Sequence, residues 1–144
     1  MNYIPLKQLP KSASEIQLQS AAWQYLINTY QQLYGLLFHV PNGGSRNGIE
    51  GKQLQGAGVT PGVPDLILIW KGSLHAIEAK IWEKQFEPKQ GCSPEQIAIH
   101  AKWKTQGIKV HMAFCAEEIV DTVLAITGLT LAYSELSVTN PPIK

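Results

Sequence analysis

The sequence predicts an α/β domain, a mixed β-sheet flanked by helices, with elements in the order α-β-β-β-α-β-α. Three observations carry that expectation. Two apolar runs, residues 65–70 and 74–80, flank Lys71-Gly72-Ser73, whose glycine marks a tight hairpin turn. A segment opened by Ser93-Pro94 and stopped at Gly107 then leads to a further apolar strand, residues 108–114, which can lie parallel to the second run through a helical crossover. Helical periodicity before and after these elements supplies the covering helices.

The elements follow in chain order. Residues 1–12 are an irregular arm. The first helix opens at Ser12-Ala-Ser-Glu15, carries Ile16, Ala22, Trp23, Leu26, Ile27, Tyr30 and Leu33 at helical spacing, and ends at Gly35. Residues 36–40 form the first strand. Residues 41–62 hold seven glycines and are expected to be one long loop, a length usually reserved for function. After the hairpin, residues 83–92 are a polar connector. Ser93 caps the next helix, with Pro94 at its first position. The last helix runs from Ala116 to about Ile126 before Gly128, and the tail to Lys144 ends in Asn140-Pro141-Pro142.

At 144 residues the chain is long enough for one domain with its own core, and 44% hydrophobic residues is ordinary for a globular protein. No run approaches the eighteen or so apolar residues of a membrane span. The N-terminus lacks a charged start followed by an apolar core, so no secretory signal is expected. Cys92 and Cys115 form no CxxC pair, which argues against a disulfide framework or a zinc site and suits a reducing cytoplasm. Net charge is +1, but residues 71–109 carry seven lysines against four acids, while residues 110–144 carry one lysine against four acids. A basic middle favours a polyanionic partner, although a plain solvated surface would look similar.

The hairpin is where the chemistry concentrates. If Lys71-Gly72 is its two-residue loop, Trp70 pairs with Ser73 and Asp65 falls opposite Glu78, their Cβ atoms about 5 Å apart. Lys80, two residues beyond Glu78, shares that face. Opposed carboxylates repel; a divalent cation removes the repulsion, and hard oxygen donors suit Mg²⁺ (or Mn²⁺) with waters left for a phosphate substrate. A neighbouring lysine can orient a water or offset charge growing on a phosphoryl oxygen. Ile67, Ile69, Leu74 and Ala76 lie on the same face and argue that it is buried rather than a solvated pair of surface charges.

Pro64-Asp65 with Glu78-x-Lys80 resembles the PD-(D/E)XK nuclease signature. The wider string from Gly58 through Pro61-Gly-Val-Pro-Asp65 to Leu68, and the later Ser93-Pro-Glu-Gln96, are similar to the virus-type replication-repair nuclease branch, the VRR-NUC domain. The resemblance spans about residues 14–125. It implies a restriction-endonuclease-like core and a Mg²⁺- or Mn²⁺-dependent DNA endonuclease. Asp65, Glu78 and the backbone carbonyl of Ala79 would be ligands, Lys80 the catalytic cation, and Gln96 the group that holds the lysine or the attacking water. It further implies branched DNA such as Holliday junctions as substrate, 5′-phosphate products, a homodimer and the cytoplasm of a bacterial or phage-infected cell. A non-catalytic DNA-binding scaffold of the same fold, or a flap or linear-DNA nuclease within a larger complex, are the alternatives.

Other residues divide between roles. Ser12-x-x-Glu15 is a capping box, in which Glu15 closes the helix start; the resemblance instead makes Glu15 a further acid of the metal site. Gln96, Ile99, His100 and Trp103 share one helix face; that face either brings His100 near the site or, the reading favoured here, leaves it a satisfied histidine on a packed surface. Arg46, the chain's one arginine, sits with Asn42 and Ser45 in a glycine-rich stretch suited to a phosphate, but the stretch is not a P-loop. Lys52, Lys84, Lys89, Lys102 and Lys104 are candidate DNA-backbone contacts. His39, His75 and His111 fall in strands and form no zinc pattern. Trp23, Trp70 and Trp103 are expected core anchors, and Trp82 packs at the core or rim unless it stacks on a base. The apolar residues 129–133 are a guess at a dimer surface.

Overall fold

The computed structural model describes residues 6, 8–10, 12–41 and 48–130. Their elements are α1 (Glu15–Thr29), β1 (Leu37–His39), α2 (Gly48–Gly56), β2 (Leu66–Trp70), β3 (Ser73–Ala79), α3 (Pro94–Thr105), β4 (Val110–Ala113) and α4 (Ala116–Thr127), with short 3-10 turns between some of them. The four strands form one mixed sheet in the order β1-β2-β3-β4. β1 and β3 run antiparallel to β2, and β4 runs parallel to β3 after α3, the crossover the sequence predicts.

The hairpin register is the predicted one. Trp70 pairs with Ser73 and Leu66 with Ile77, so the loop is Lys71-Gly72. Both loop residues have positive φ, 49° and 78°, the backbone that lets a two-residue turn follow the twist of its strands. β2 starts at Leu66, one residue after Asp65, so the aspartate stands just outside the ladder.

The strands present two different faces because side chains alternate. One face carries Leu66, Leu68, Ile77, Ala79 and Ala113 and is covered by α1 and α4, which also pack on each other. Leu26, Leu33, Leu37, Leu66, Leu68 and Ile77 are fully buried there. Burying each such side chain contributes about 1.5–3 kcal/mol, and this cluster fixes the sheet as a rigid platform. Trp23 and Trp70 pack against its edge, Trp23 donating from Nε1 to the Leu37 carbonyl at 2.9 Å.

The opposite face carries Glu78 and is only partly covered. Ile67 and Ala76 are buried, as expected, but Ile69 and Leu74 remain 40% and 38% exposed toward the turn. Burial on this face is concentrated at the end bearing the acids.

Four expectations are corrected. The first helix ends at Thr29 rather than at Gly35, and Gln31–Leu33 form a separate 3-10 turn. The glycine-rich stretch 41–62 is not one loop: residues 48–56 form α2, which buries none of its residues. The element order is therefore α-β-α-β-β-α-β-α. The first helix is capped by Ser14, not Ser12. Its Oγ accepts from Gln17 N at 3.3 Å while Ser14 N donates to Gln17 Oε1 at 2.9 Å. Residues 83–92 are likewise less irregular than expected, being two short 3-10 turns, Trp82–Phe86 and Pro88–Gly91.

Candidate active site

Asp65 is held from two sides. Its carbonyl accepts from Val40 N at 2.9 Å and lies 2.8 Å from His39 Nδ1, which ties it to β1. Its Oδ2 accepts from Ala79 N at 2.9 Å, so the side chain substitutes for the strand partner that β3 lacks at that point. Pro64, fully buried, precedes it and fixes its own φ at about −65°.

Glu78 is 1% exposed on the adjacent strand, next to the Ala79 N–H that Asp65 Oδ2 accepts from, so the two carboxyl groups lie in each other's field. Two carboxyl groups so placed need a proton or a cation between them. Burial, then nearby Asp65, pushes the Glu78 carboxyl up to about 10. Glu78 Oε2 accepts from Gln96 Nε2 at 3.1 Å, whereas Oε1 is buried with no hydrogen-bond partner.

Lys80 is 6% exposed at the end of β3, and its backbone N–H bonds to the Ala113 carbonyl on β4. Its Nζ donates to Gln96 Oε1 at 2.8 Å. Gln96 therefore bridges the lysine and the glutamate while also capping its own helix: Oε1 accepts from Ser93 N at 2.9 Å and Gln96 N donates to Ser93 Oγ at 3.2 Å. The helix start is pressed close to the loop before Asp65. A Cβ on Gly62, whose φ is +93°, would lie 2.5 Å from the Glu95 carbonyl oxygen and 2.9 Å from Gln96 N.

The shift of the cap from Ser12 to Ser14 frees Glu15. It occupies the first position of α1 and is half-buried. Burial raises its pKa; nearby Lys80 pulls it down and Asp65 pushes it up, so its carboxyl shares the electrostatic field of the centre.

His100 differs from its expected role. One turn beyond Gln96, its Nε2 lies 3.4 Å from Glu78 Oε1 and has no hydrogen-bond partner. Burial, then Lys80, lowers its pKa. With the imidazole pushed toward neutrality and Glu78 toward protonation, the contact is between two uncharged groups rather than an ion pair. The helical spacing of Gln96 and His100 was the available signal; what it lacked was the knowledge that Glu78 stands buried under both.

The remaining candidates lie farther out. Asn42, Ser45 and Arg46 fall outside the described residues. Lys52 is exposed on α2 and Lys104 on α3. Lys84 is half-buried with its Nζ 3.2 Å from Glu87 Oε2. Trp82 is 42% exposed. Leu129 packs against the core cluster, and the rest of the stretch to Tyr133 also lies outside the described residues, apart from Thr130.

The donors fit a hard divalent cation. Asp65 Oδ2 sits on the N–H of Ala79, the residue after Glu78, and the buried, unpartnered Oε1 of Glu78 is an acceptor in want of a positive partner. Among the described residues no group of three or more His, Cys, Asp or Glu side chains forms a ready-made cage. A Mg²⁺ held here would complete its shell with backbone oxygen and water, as that ion commonly does.

No family model matches the chain, and no curated protein matches its sequence. Among solved structures, one described as a VRR_NUC domain protein superposes with a TM-score of 0.60 at 17% identity, over 81% of this chain and 89% of the other. The fold is restriction-endonuclease-like. No helix among the described residues is long and apolar enough to cross a membrane.

Proposed function

We propose that the chain is a metal-dependent DNA endonuclease. The observation that carries the reading is Asp65, bonded to the Ala79 N–H beside buried Glu78, with Glu78 and Lys80 joined through one glutamine. The VRR_NUC domain neighbour supports a nuclease as the activity carried by such a fold. Asp65, Glu78 and the Ala79 carbonyl would hold Mg²⁺ or Mn²⁺, with Glu15 as a further acid. The chemistry supplied by the bound ion is polarisation of the phosphate and a lowered pKa for the attacking water.

The chain's own groups do the rest. Lys80 Nζ, fixed at 2.8 Å from Gln96 Oε1, is positioned to orient that water and offset the charge on the phosphoryl oxygens. Gln96 keeps the lysine and Glu78 at constant separation. The water oxygen forms the new bond to phosphorus, the bond to the 3′ oxygen breaks, and that oxygen takes up a proton, leaving a 5′ phosphate on the other product.

Branched DNA is the proposed substrate. Two copies about a twofold axis would bring two centres to two strands of a junction. The test is incubation of the purified protein with labelled four-way, flap, single-stranded and linear DNA in Mg²⁺, Mn²⁺ or EDTA, beside Lys80→Ala. Metal-dependent cutting by the wild type alone supports the enzyme, and the preferred DNA ranks the substrates. Binding without cutting under every condition would replace it with a DNA-binding scaffold.

A further inference from the structure

A cavity of about 600 Å³ opens beside the acidic centre, between α3 and β4. Its apolar floor is made by Ile97, Ile108, Val110 and Met112. Lys89, Lys104 and Lys109 also line it, and no aspartate or glutamate does. His100 lies on its wall and comes within 3.4 Å of Glu78, while Met112 is the register partner of Glu78 across the sheet, so the cavity adjoins the acids with His100 and Met112 between them.

One wall is built from disfavoured backbone. Lys89 and Gln90 both have φ 54°, and Gly91 follows at 72°. Left-handed conformation at consecutive non-glycine residues persists where the surroundings impose it, and it concentrates at ligand clamps. Here it sets Lys89 and Gln90 at the edge of an apolar slot.

We propose that this cavity receives one nucleotide of the DNA strand, turned out of its stack next to the phosphate that is cut. This rests on the nuclease reading and names a subsite for it. The volume admits a base and sugar. The aliphatic floor and the Met112 thioether suit the faces of a planar ring. Gln90 and the His100 ring offer polar groups to its edge, and the three lysines match the flanking phosphates. A strand so anchored would present its next phosphate to Asp65, Glu78 and Lys80.

The test uses the full chain and a DNA that it cuts, with 2-aminopurine placed in turn at each position around the cut and Ca²⁺ replacing Mg²⁺. Unstacking should raise fluorescence severalfold at one position. Ala101→Trp, on the exposed side of α3 and lining the cavity, should abolish that rise and weaken binding roughly tenfold. Lys104→Ala with Lys109→Ala, which leave the packed residues alone, should lower the salt slope of binding by about 1 each. If the protein cuts the DNA but no position brightens and Ala101→Trp cuts normally, the subsite is refuted and the nuclease stands. If no DNA is cut, the nuclease reading fails and the subsite beside the cut phosphate falls with it; saturable binding of 2-aminopurine deoxyribonucleotide, lost in Ala101→Trp, would then make the cavity a nucleotide site alone.

Discussion

Replacing Gly62 with alanine tests how the candidate centre is held together. The added Cβ would meet the Glu95 carbonyl oxygen at 2.5 Å, its carbon at 2.6 Å and Gln96 N at 2.9 Å. All three are backbone atoms, so no flexible side chain can swing away, and relief requires the loop or the start of α3 to move by roughly 1 Å to regain ordinary contact. Overpacking of this kind costs about 1–3 kcal/mol, and the φ of +93° adds about 1 kcal/mol for any residue with a Cβ. The sum, about 2–4 kcal/mol, corresponds to a fall in Tm of roughly 7–13 °C for a chain of this size. The same displacement separates Gln96 from Lys80 and Glu78, whose bonds to it are 2.8 and 3.1 Å. Cleavage measured well below the new Tm should therefore drop by at least about tenfold. Gly58→Ala is the control: its φ is +106°, but nothing lies within 4 Å of the added carbon. It should lose only the backbone share of stability and keep its activity. Equal Tm and equal cleavage for the Gly62 and Gly58 variants would refute the close seating of α3 on this loop.

Other expectations follow from the same geometry. Between its ordinary value near 4.5 and about 10, folded Glu78 holds a proton that the unfolded chain has released, so metal-free protein should lose stability as pH rises through that window. The slope, up to about 1.4 kcal/mol per pH unit, should flatten in Glu78→Gln, as read by urea unfolding in EDTA. Because ligation needs that proton gone, Mg²⁺ should raise the Tm of the wild type more at pH 8.5 than at pH 6 and leave Glu78→Gln unmoved. Ser14→Ala should cost about 1 kcal/mol of stability while Ser12→Ala costs almost nothing, and thermal melts showing the reverse would return the cap to Ser12. Lys71→Asn or Lys71→Gly, relieving a positive φ in the hairpin loop, should raise the Tm by a few degrees.

The hairpin was legible because a two-residue loop leaves the register no freedom. Once Lys71-Gly72 was the turn, Asp65, Glu78 and Lys80 had to converge. Ser93-Pro94 was equally plain, since an N-cap followed by proline has few other uses. α2 was not legible. It has glycine at 48, 51 and 56, and it buries nothing, so neither propensity nor periodicity marks it. The cap of α1 was ambiguous because Ser12 and Ser14 each stand three residues before a Glu or Gln. Burial of Ala13, Leu18 and Ala22 selects the later start, a matter of tertiary packing that no local pattern encodes. The place of His100 needed the position of a strand twenty-two residues earlier in the chain, which helical spacing alone cannot supply.

Gln96 ties the closing of a helix to the candidate centre. The amide that closes the first turn of α3 also joins the ammonium of Lys80 to the buried acid. Unwinding that one turn, the kind of local opening that terminal turns undergo far more often than whole domains unfold, would dismantle the proposed centre without melting the sheet. Exchange rates of the Ile97 amide, bonded to Ser93, therefore clock how often a molecule is momentarily incompetent, and any partner that grips this turn sets the fraction of the population poised to act.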